Sequence, residues 1–182
     1  MTVSIYKELL GKRHPNVAFA KHHRALLLEN LGRHAEALAL YKHVLTMQTT
    51  SEGAGNTLRS MGVLLGLHMG KPAEGLVVLE KAQNALNACD RPDLSAAVFF
   101  ASGQLLHEQG KLADASLVFA KALAIRKERY GESHIAYAEA ACSMASVLLG
   151  QGKYAKALAL FEPAQVAATA ALGENHTNAA WT

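Results

Sequence analysis

The sequence has few cysteines, few prolines and no long apolar run. Its two cysteines, Cys89 and Cys142, form no CxxC pair, which excludes a scaffold built on disulfides. The longest mostly apolar stretch, Leu94–Leu106, is interrupted by serine, glycine and glutamine and is shorter than the roughly 20 residues of a membrane span. With 18 Lys and Arg against 15 Asp and Glu, the charge is low and nowhere concentrated. We therefore expect no nucleic-acid binding and no membrane insertion. The first residues contain no secretory signal, so a cytoplasmic location is expected.

Internal repetition is the main positive feature of the sequence. A short pattern that begins with glycine recurs four times, at Gly32, Gly70, Gly110 and Gly152, with spacings of 38, 40 and 42 residues. A second pattern, Gly-x-x-His, ends at His14, His134 and His176. Regular recurrence at this period is typical of repeat proteins rather than of a single globular core.

Each repeat predicts two helices joined at its glycine. Apolar residues at helical spacing, such as Ala25, Leu28 and Leu31, precede the glycine, which can end a helix in a left-handed conformation. The second helix carries a small residue and, four positions later on the same face, a large one. We expect the small residue to let the paired helix approach and the large one to fill the space beside it. These small and large pairs are Ala37 and Tyr41, Gly75 and Leu79, Ala115 and Phe119, and Ala157 and Phe161.

The glycine turn and the small and large residues that follow it resemble the tetratricopeptide repeat (TPR). The long period and the Gly-x-x-His linker are similar to the extended repeats of kinesin light chains. The resemblance implies an all-α fold, a right-handed superhelical solenoid of antiparallel helix pairs. We expect a single array over 1–182, with repeats at about 15–50, 56–90, 93–131 and 135–173 and partial repeats at 1–13 and 176–182.

The sequence contains no recognisable catalytic, cofactor-binding or metal-binding motif. The chain contains no nucleophile motif, zinc-protease motif or phosphate-binding loop, so we expect no catalytic residues and no cofactor. His22 and His23 point about 100° apart on a helix and cannot easily share a metal ion. The linker histidines are interpreted as helix caps. No metal site is predicted.

The resemblance implies that a partner binds along one stripe of the first helices, whose positions are counted back from the glycine of each repeat. Phe100 is the expected aromatic anchor, and Gln104, one turn further on, can hold a peptide amide. Packing between repeats is an equally weighted interpretation for Leu26, Leu64 and Leu149. The stripe contains no lysine or arginine, which argues against a clamp for a terminal carboxylate. The expected partner-binding residues are Phe19, His22, Leu26, Ser60, Leu64, Phe100, Gln104, His107, Glu139 and Ser146.

These features together predict a non-catalytic protein–protein interaction module that takes a protein or peptide partner. In the first version it is a scaffold or adaptor subunit of a larger assembly, with its uncapped ends stacked on a partner or on another copy. In the alternative version, a concave groove reads a peptide as kinesin light chain cargo adaptors do. A second alternative is a regulatory TPR segment of a larger enzyme.

Overall fold

The computed structural model describes residues 14–172, with side chains as far as residue 170. Within residues 14–172 the chain forms eight α-helices and no strand, which confirms the all-α prediction. The chain divides into two compact units, Met1–Leu94 and Ser95–Thr182. The predicted single array and its repeat boundaries stay a prediction. The helices are α1 (Pro15–Asn30), α2 (His34–Leu45), α3 (Ser51–Val63), α4 (Pro72–Leu86), α5 (Pro92–Glu108), α6 (Leu112–Tyr130), α7 (Ile135–Gly150) and α8 (Tyr154–Leu172).

The repeat glycines lie in the turns between the paired helices. At Gly32 the backbone has φ 73°, the N–H of Gly32 donates to Glu29 O at 2.9 Å, and the N–H of Arg33 donates to Leu28 O at 2.8 Å. The other three repeat glycines also have positive φ, between 65° and 72°. Only glycine adopts this conformation without steric cost, so the predicted helix endings are confirmed.

The linker histidines cap the helices that follow them. His14 Nδ1 accepts a hydrogen bond from the N–H of Asn16 at 3.2 Å, and His134 Nδ1 accepts one from the N–H of Ala136 at 3.1 Å. Each bond satisfies a donor that a helix start otherwise leaves unpaired. The capping interpretation is confirmed for these two residues, whereas His176 lies outside the described part of the chain.

In the first unit, α1 packs on α2 and α3 packs on α4. Tyr41 and Leu79, the large residues of the two repeats, are fully buried. A Cβ atom on Gly62 would lie only 2.7 Å from Leu79 Cγ, so α3 and α4 approach as closely as a glycine allows. The small and large pattern of the sequence therefore sets the spacing between the helices.

In the second unit, Phe119 of α6 is the large buried residue that packs against a glycine of the paired helix. Its exposed fraction is 1%, and Ala115 and Val147 lie in the same buried cluster. A Cβ atom on Gly103 of α5 would lie 2.7 Å from Phe119 Cε1. Helix α7 then packs on α6 and on α8.

A π-helical turn, Leu64–His68, interrupts the regular winding after α3. The residue after each repeat glycine donates its N–H to a carbonyl near the helix end. For Arg33 and Lys153 that carbonyl lies five residues earlier, on Leu28 and Leu148, whereas for Lys71 it lies six residues earlier, on Leu65. The second repeat therefore holds one additional residue between the body of α3 and its glycine.

Replacing Gly103 by alanine should lower the free energy of unfolding by about 1–3 kcal/mol, because the new methyl group overlaps the Phe119 ring. Chemical denaturation followed by circular dichroism measures the loss. The same substitution in a Phe119→Leu background should cost clearly less, since the clashing ring edge is gone. Equal losses in the two backgrounds would mean that the contact does not limit helix approach.

Within the described residues 14–172, none of the helices is both long enough and apolar enough to cross a membrane.

Candidate interaction surfaces

The first unit contains a groove of about 530 Å³ between α1 and α3, called the first-unit groove below. Helix α1 lines it with Phe19, His22, His23 and Leu26, and α3 lines it with Asn56, Thr57 and Arg59. The groove also receives Glu52, Arg91 and Leu94. Its lining is thus a mixture of apolar, neutral polar and charged side chains.

The rim of the first-unit groove carries an exposed aromatic pair. Phe19 has an exposed fraction of 64%, and its ring meets the His23 ring edge to face at a centroid distance of 4.2 Å. An exposed phenyl ring held by a neighbour loses little freedom when a partner covers it. The pair therefore provides an ordered apolar surface beside the polar floor.

The floor of the groove is a buried polar contact between α1 and α3. His22 Nδ1 lies 3.1 Å from Thr57 Oγ1, and Gln48 Nε2 donates to the same hydroxyl at 3.4 Å. Burial, together with the charges of His23 and Arg59, lowers the pKa of His22 to about 4. The His22 ring is consequently neutral at pH 7 and serves as part of the floor.

Arg59 is the unusual residue of this groove. Its Nη2 donates weakly to Asn56 Oδ1 at 3.3 Å and to Ser60 Oγ at 3.5 Å, while its Nε is buried without a hydrogen-bond partner. Burial lowers the pKa of Arg59, and Tyr41 and Glu29 oppose this only through space. No carboxylate among residues 14–170 forms an ion pair with it, whereas neighbouring Arg91 pairs with Glu52 and Asp93. Arg59 therefore brings to the groove a positive charge that has no direct ion pair within residues 14–170.

The ten residues expected on the partner-binding stripe differ widely in exposure. His22, Ser60 and Leu64 are buried; Leu26, Phe100 and Gln104 are half-buried; Phe19, His107, Glu139 and Ser146 are exposed. The structure brings Phe19, His22 and Leu26 together in the first-unit groove.

The π-helical turn explains why Ser60 and Leu64 lie in the core rather than on the stripe. The additional residue before Gly70 rotates α3 by about 100° relative to an alignment on the glycines. Arg59, and not Ser60, thus corresponds to His22 and Phe100. An alignment on the small residues Gly62 and Gly103, which both contact the large residue of the paired helix, would have found Arg59.

In the second unit, Phe100 and Glu139 meet at Arg126. The Arg126 guanidinium lies over the Phe100 ring at 4.4 Å, and the ring also packs edge-on against Phe119 at 5.7 Å. Arg126 donates to Ala136 O at 2.6 Å and lies 3.6 Å from a Glu139 carboxylate oxygen. Much of the Phe100 surface is therefore covered by Arg126 and Phe119 of the same unit.

A second concave surface lies between α7 and α8 and is called the last-pair pocket below. It has a volume of about 370 Å³ and an almost wholly apolar lining. Leu149, Tyr154 and Leu158 have exposed fractions of 53%, 69% and 57%. These three side chains line the pocket together with Ala145, Ser146, Ala157 and Phe161.

Reactive groups are not gathered at either surface. No group of three or more His, Cys, Asp or Glu residues within the described part of the chain is arranged to hold a metal ion. Burial raises the pKa of the Cys142 thiol to about 11, so this thiol is protonated at neutral pH and is a poor nucleophile.

The sequence and the fold are similar to those of known repeat proteins. One tetratricopeptide-repeat family model matches residues 103–164 and another matches residues 20–57, together more than half of the chain. BtubC (BKLC) from P. vanneervenii is 18% identical with a TM-score of 0.79, over 93% of this chain and 70% of that one. A P. anserina structure described as a kinesin light chain with nearly identical TPR-like repeats is 17% identical with a TM-score of 0.68, over 93% of this chain and 83% of that one. No curated protein matches the sequence significantly.

The structural likeness confirms a TPR-type solenoid of helix pairs, and the two family matches agree with the positions of the repeat glycines. The chain belongs to the tetratricopeptide-repeat family, and its repeats resemble those of kinesin light chains.

Proposed function

We propose that this chain is an adaptor whose first-unit groove binds a peptide segment of a partner through a carboxylate. TPR repeats indicate a protein–protein interaction module, and the groove is the surface best suited to a polar partner. The observation that carries the proposal is Arg59, a guanidinium in the groove with a buried, unpartnered Nε and no ion pair to a described carboxylate. A largely buried charge without a direct ion pair is costly to the folded chain.

A carboxylate is the ligand that fits this guanidinium. Arginine presents planar donors that match the two oxygens of an aspartate, a glutamate or a chain terminus, and such charge-assisted bonds are stronger than neutral ones. The neutral His22 ring adds no charge, and the Arg91 charge is already paired. Arg59 therefore supplies the attraction, while Phe19 and Leu26 offer apolar surface for the side chains next to the carboxylate.

Replacing Arg59 by methionine tests the proposal. Peptides selected from a random display library on the wild-type chain should carry Asp, Glu or a free carboxyl terminus. Their affinity should fall about tenfold or more in the variant, because a charge-assisted bond is lost. The stability of the fold should stay the same or rise, since methionine has a similar length and needs no hydrogen bonds.

Arg129→Met is the matched control, since it removes an exposed arginine of α6 and leaves the groove intact. It should bind the selected peptides as the wild-type chain does. Equal affinity of the wild-type chain and the Arg59 variant for acidic peptides would contradict the proposal.

A scaffold function is a second candidate, and the last-pair pocket is the observation that favours it. Exposed apolar side chains grouped around a concave surface are typical of an interface rather than of a solvated face. Leu149, Tyr154 and Leu158 form such a group. A scaffold that is held in an assembly through this pocket should lose its partners when Leu158 is replaced by aspartate, as measured by affinity capture from native extract.

A further inference from the structure

The last-pair pocket has equivalents elsewhere in the chain, and there it is filled. In the second unit, Ala115 and Phe119 of α6 occupy the positions of Ala157 and Phe161 in α8. They are covered by Val147 of α7, which is fully buried in the same cluster. The contact continues along the helix, where Gln151 Nε2 donates to Leu112 O at 2.8 Å.

The first unit repeats this contact. Ala37 and Tyr41 of α2 lie in one buried cluster with Leu64, which takes the place of Val147 once the π-helical turn is allowed for. Met69 packs against the same cluster, and the His68 ring stacks on the His34 ring at a centroid distance of 5.6 Å. Two independent examples thus show that this surface accepts an aliphatic side chain from the end of a first helix.

One first helix presents the same aliphatic side chain to solvent. In α1 the position of Val147 is taken by Leu27 and that of Gln151 by Leu31. Leu27 has an exposed fraction of 63%, although its counterparts Leu64 and Val147 have no exposed surface. Leu31 has an exposed fraction of 70%, whereas its counterparts Met69 and Gln151 are half-buried. Among residues 14–170, therefore, no side chain fills the pocket of the last helix pair and none covers the matching leucine of α1.

We propose that the last-pair pocket of one copy binds the Leu27 and Leu31 face of α1 of a second copy. Leu27 enters between Ala157 and Phe161 and contacts Leu158, and Leu31 packs on Tyr154. This inference rests on the scaffold function and names its partner as another copy of the chain. The contact joins two different surfaces, so it continues from copy to copy as an open chain or closes as a ring.

The charges around the two surfaces are complementary. Within the second unit, Met144 of α7 contacts Ser116 of α6 at 3.8 Å. The repeat spacing makes Arg24 of α1 equivalent to Met144, and Leu158 of α8 equivalent to Ser116. Glu162 lies four residues after Leu158 and hence on the same face of α8. Arg24 and Glu162 are both exposed, and neither forms a direct ion pair within residues 14–170, although Arg24 lies close enough to Glu36 to lower the pKa of that carboxyl. In the proposed contact Arg24 approaches Glu162.

Sedimentation velocity over a range of protein concentrations tests the contact. The wild-type chain should associate beyond the dimer as its concentration rises. Leu27→Asp and Leu158→Asp should each weaken association about tenfold or more, because each places a charge in an apolar contact. Both side chains are exposed in the single copy, so the variants should fold, which circular dichroism checks. Leu117→Asp, at another exposed leucine with an exposed fraction of 67%, should associate as the wild-type chain does.

Mixing the two variants gives the sharpest result. The Leu27→Asp chain keeps its pocket and the Leu158→Asp chain keeps its leucine, so the mixture should form heterodimers and stop there. A wild-type chain that stays monomeric at all concentrations, or a mixture without heterodimers, would overturn the second-copy inference. Loss of captured partners in Leu158→Asp under those conditions would still support the scaffold function, with a different protein in the pocket.

A charge exchange provides a variant that leaves the apolar contact intact. Arg24→Glu and Glu162→Arg should each weaken association at low salt, and the double variant should restore it. No recovery in the double variant would contradict the proposed orientation of the two copies.

Discussion

Replacing Phe119 by alanine should lower the free energy of unfolding by about 3–5 kcal/mol. The ring is the largest fully buried side chain among the described residues of the second unit. It contacts α5 at Gly103 and Phe100 and shares a cluster with Val147 of α7. Its removal leaves a cavity where three helices meet, and close-packed interiors relax only partly around such a space. Urea denaturation followed by circular dichroism gives the difference.

Leu117→Ala is the control for this loss. Leu117 lies two residues before Phe119 on the same helix, but its exposed fraction is 67%, so the substitution should change stability by less than about 0.5 kcal/mol. If Phe119→Ala cost no more than Leu117→Ala, the ring would not be the packing centre of the second unit.

Acid should destabilise the first unit through His22. Its pKa is about 4 in the folded chain, against 6.5 for an unburied imidazole, because burial disfavours the charged ring. Between these two values the unfolded chain binds more protons than the folded chain, so the free energy of unfolding falls as the pH falls from about 6.5 to 4. The contribution is fully present above pH 6.5, and the loss at pH 4 is about 3 kcal/mol.

His22→Gln isolates this effect. Glutamine can keep a hydrogen bond to Thr57 but does not titrate, so the pH dependence of stability should be shallower by about 3 kcal/mol over the same range. The other histidines and the carboxylates are present in both proteins, so the difference between the two curves comes chiefly from His22 and its coupling to His23. Parallel stability curves for the two proteins would mean that His22 is protonated in the folded chain as easily as in the unfolded one.

The sequence predicts the helix pairs well because their determinants are local. A glycine that ends a helix and a small residue four positions before a large one act within one or two turns, so their spacing can be read directly. Gly32 with its positive φ, and the buried pair Ala115 and Phe119, follow these patterns. The histidine caps at His14 and His134 are equally local.

The candidate site was harder to predict because it depends on register across a whole helix. The expected stripe in α3 was counted back from Gly70, and the π-helical turn adds one residue to that count. Ser60 and Leu64 consequently face the core, while Arg59 faces the groove. Nothing in a helical periodicity marks where a π turn forms, since packing of the two flanking segments decides it.

The π-helical turn also has an evolutionary consequence. A π turn is what remains when a helix takes up one inserted residue without losing its packing on either side. Deleting one codon within Leu64–His68 would exchange the row of α3 side chains that a partner meets, and inserting one codon there again would restore it. Binding specificity in such a repeat can therefore change in one mutational step that substitutes none of the residues of α3.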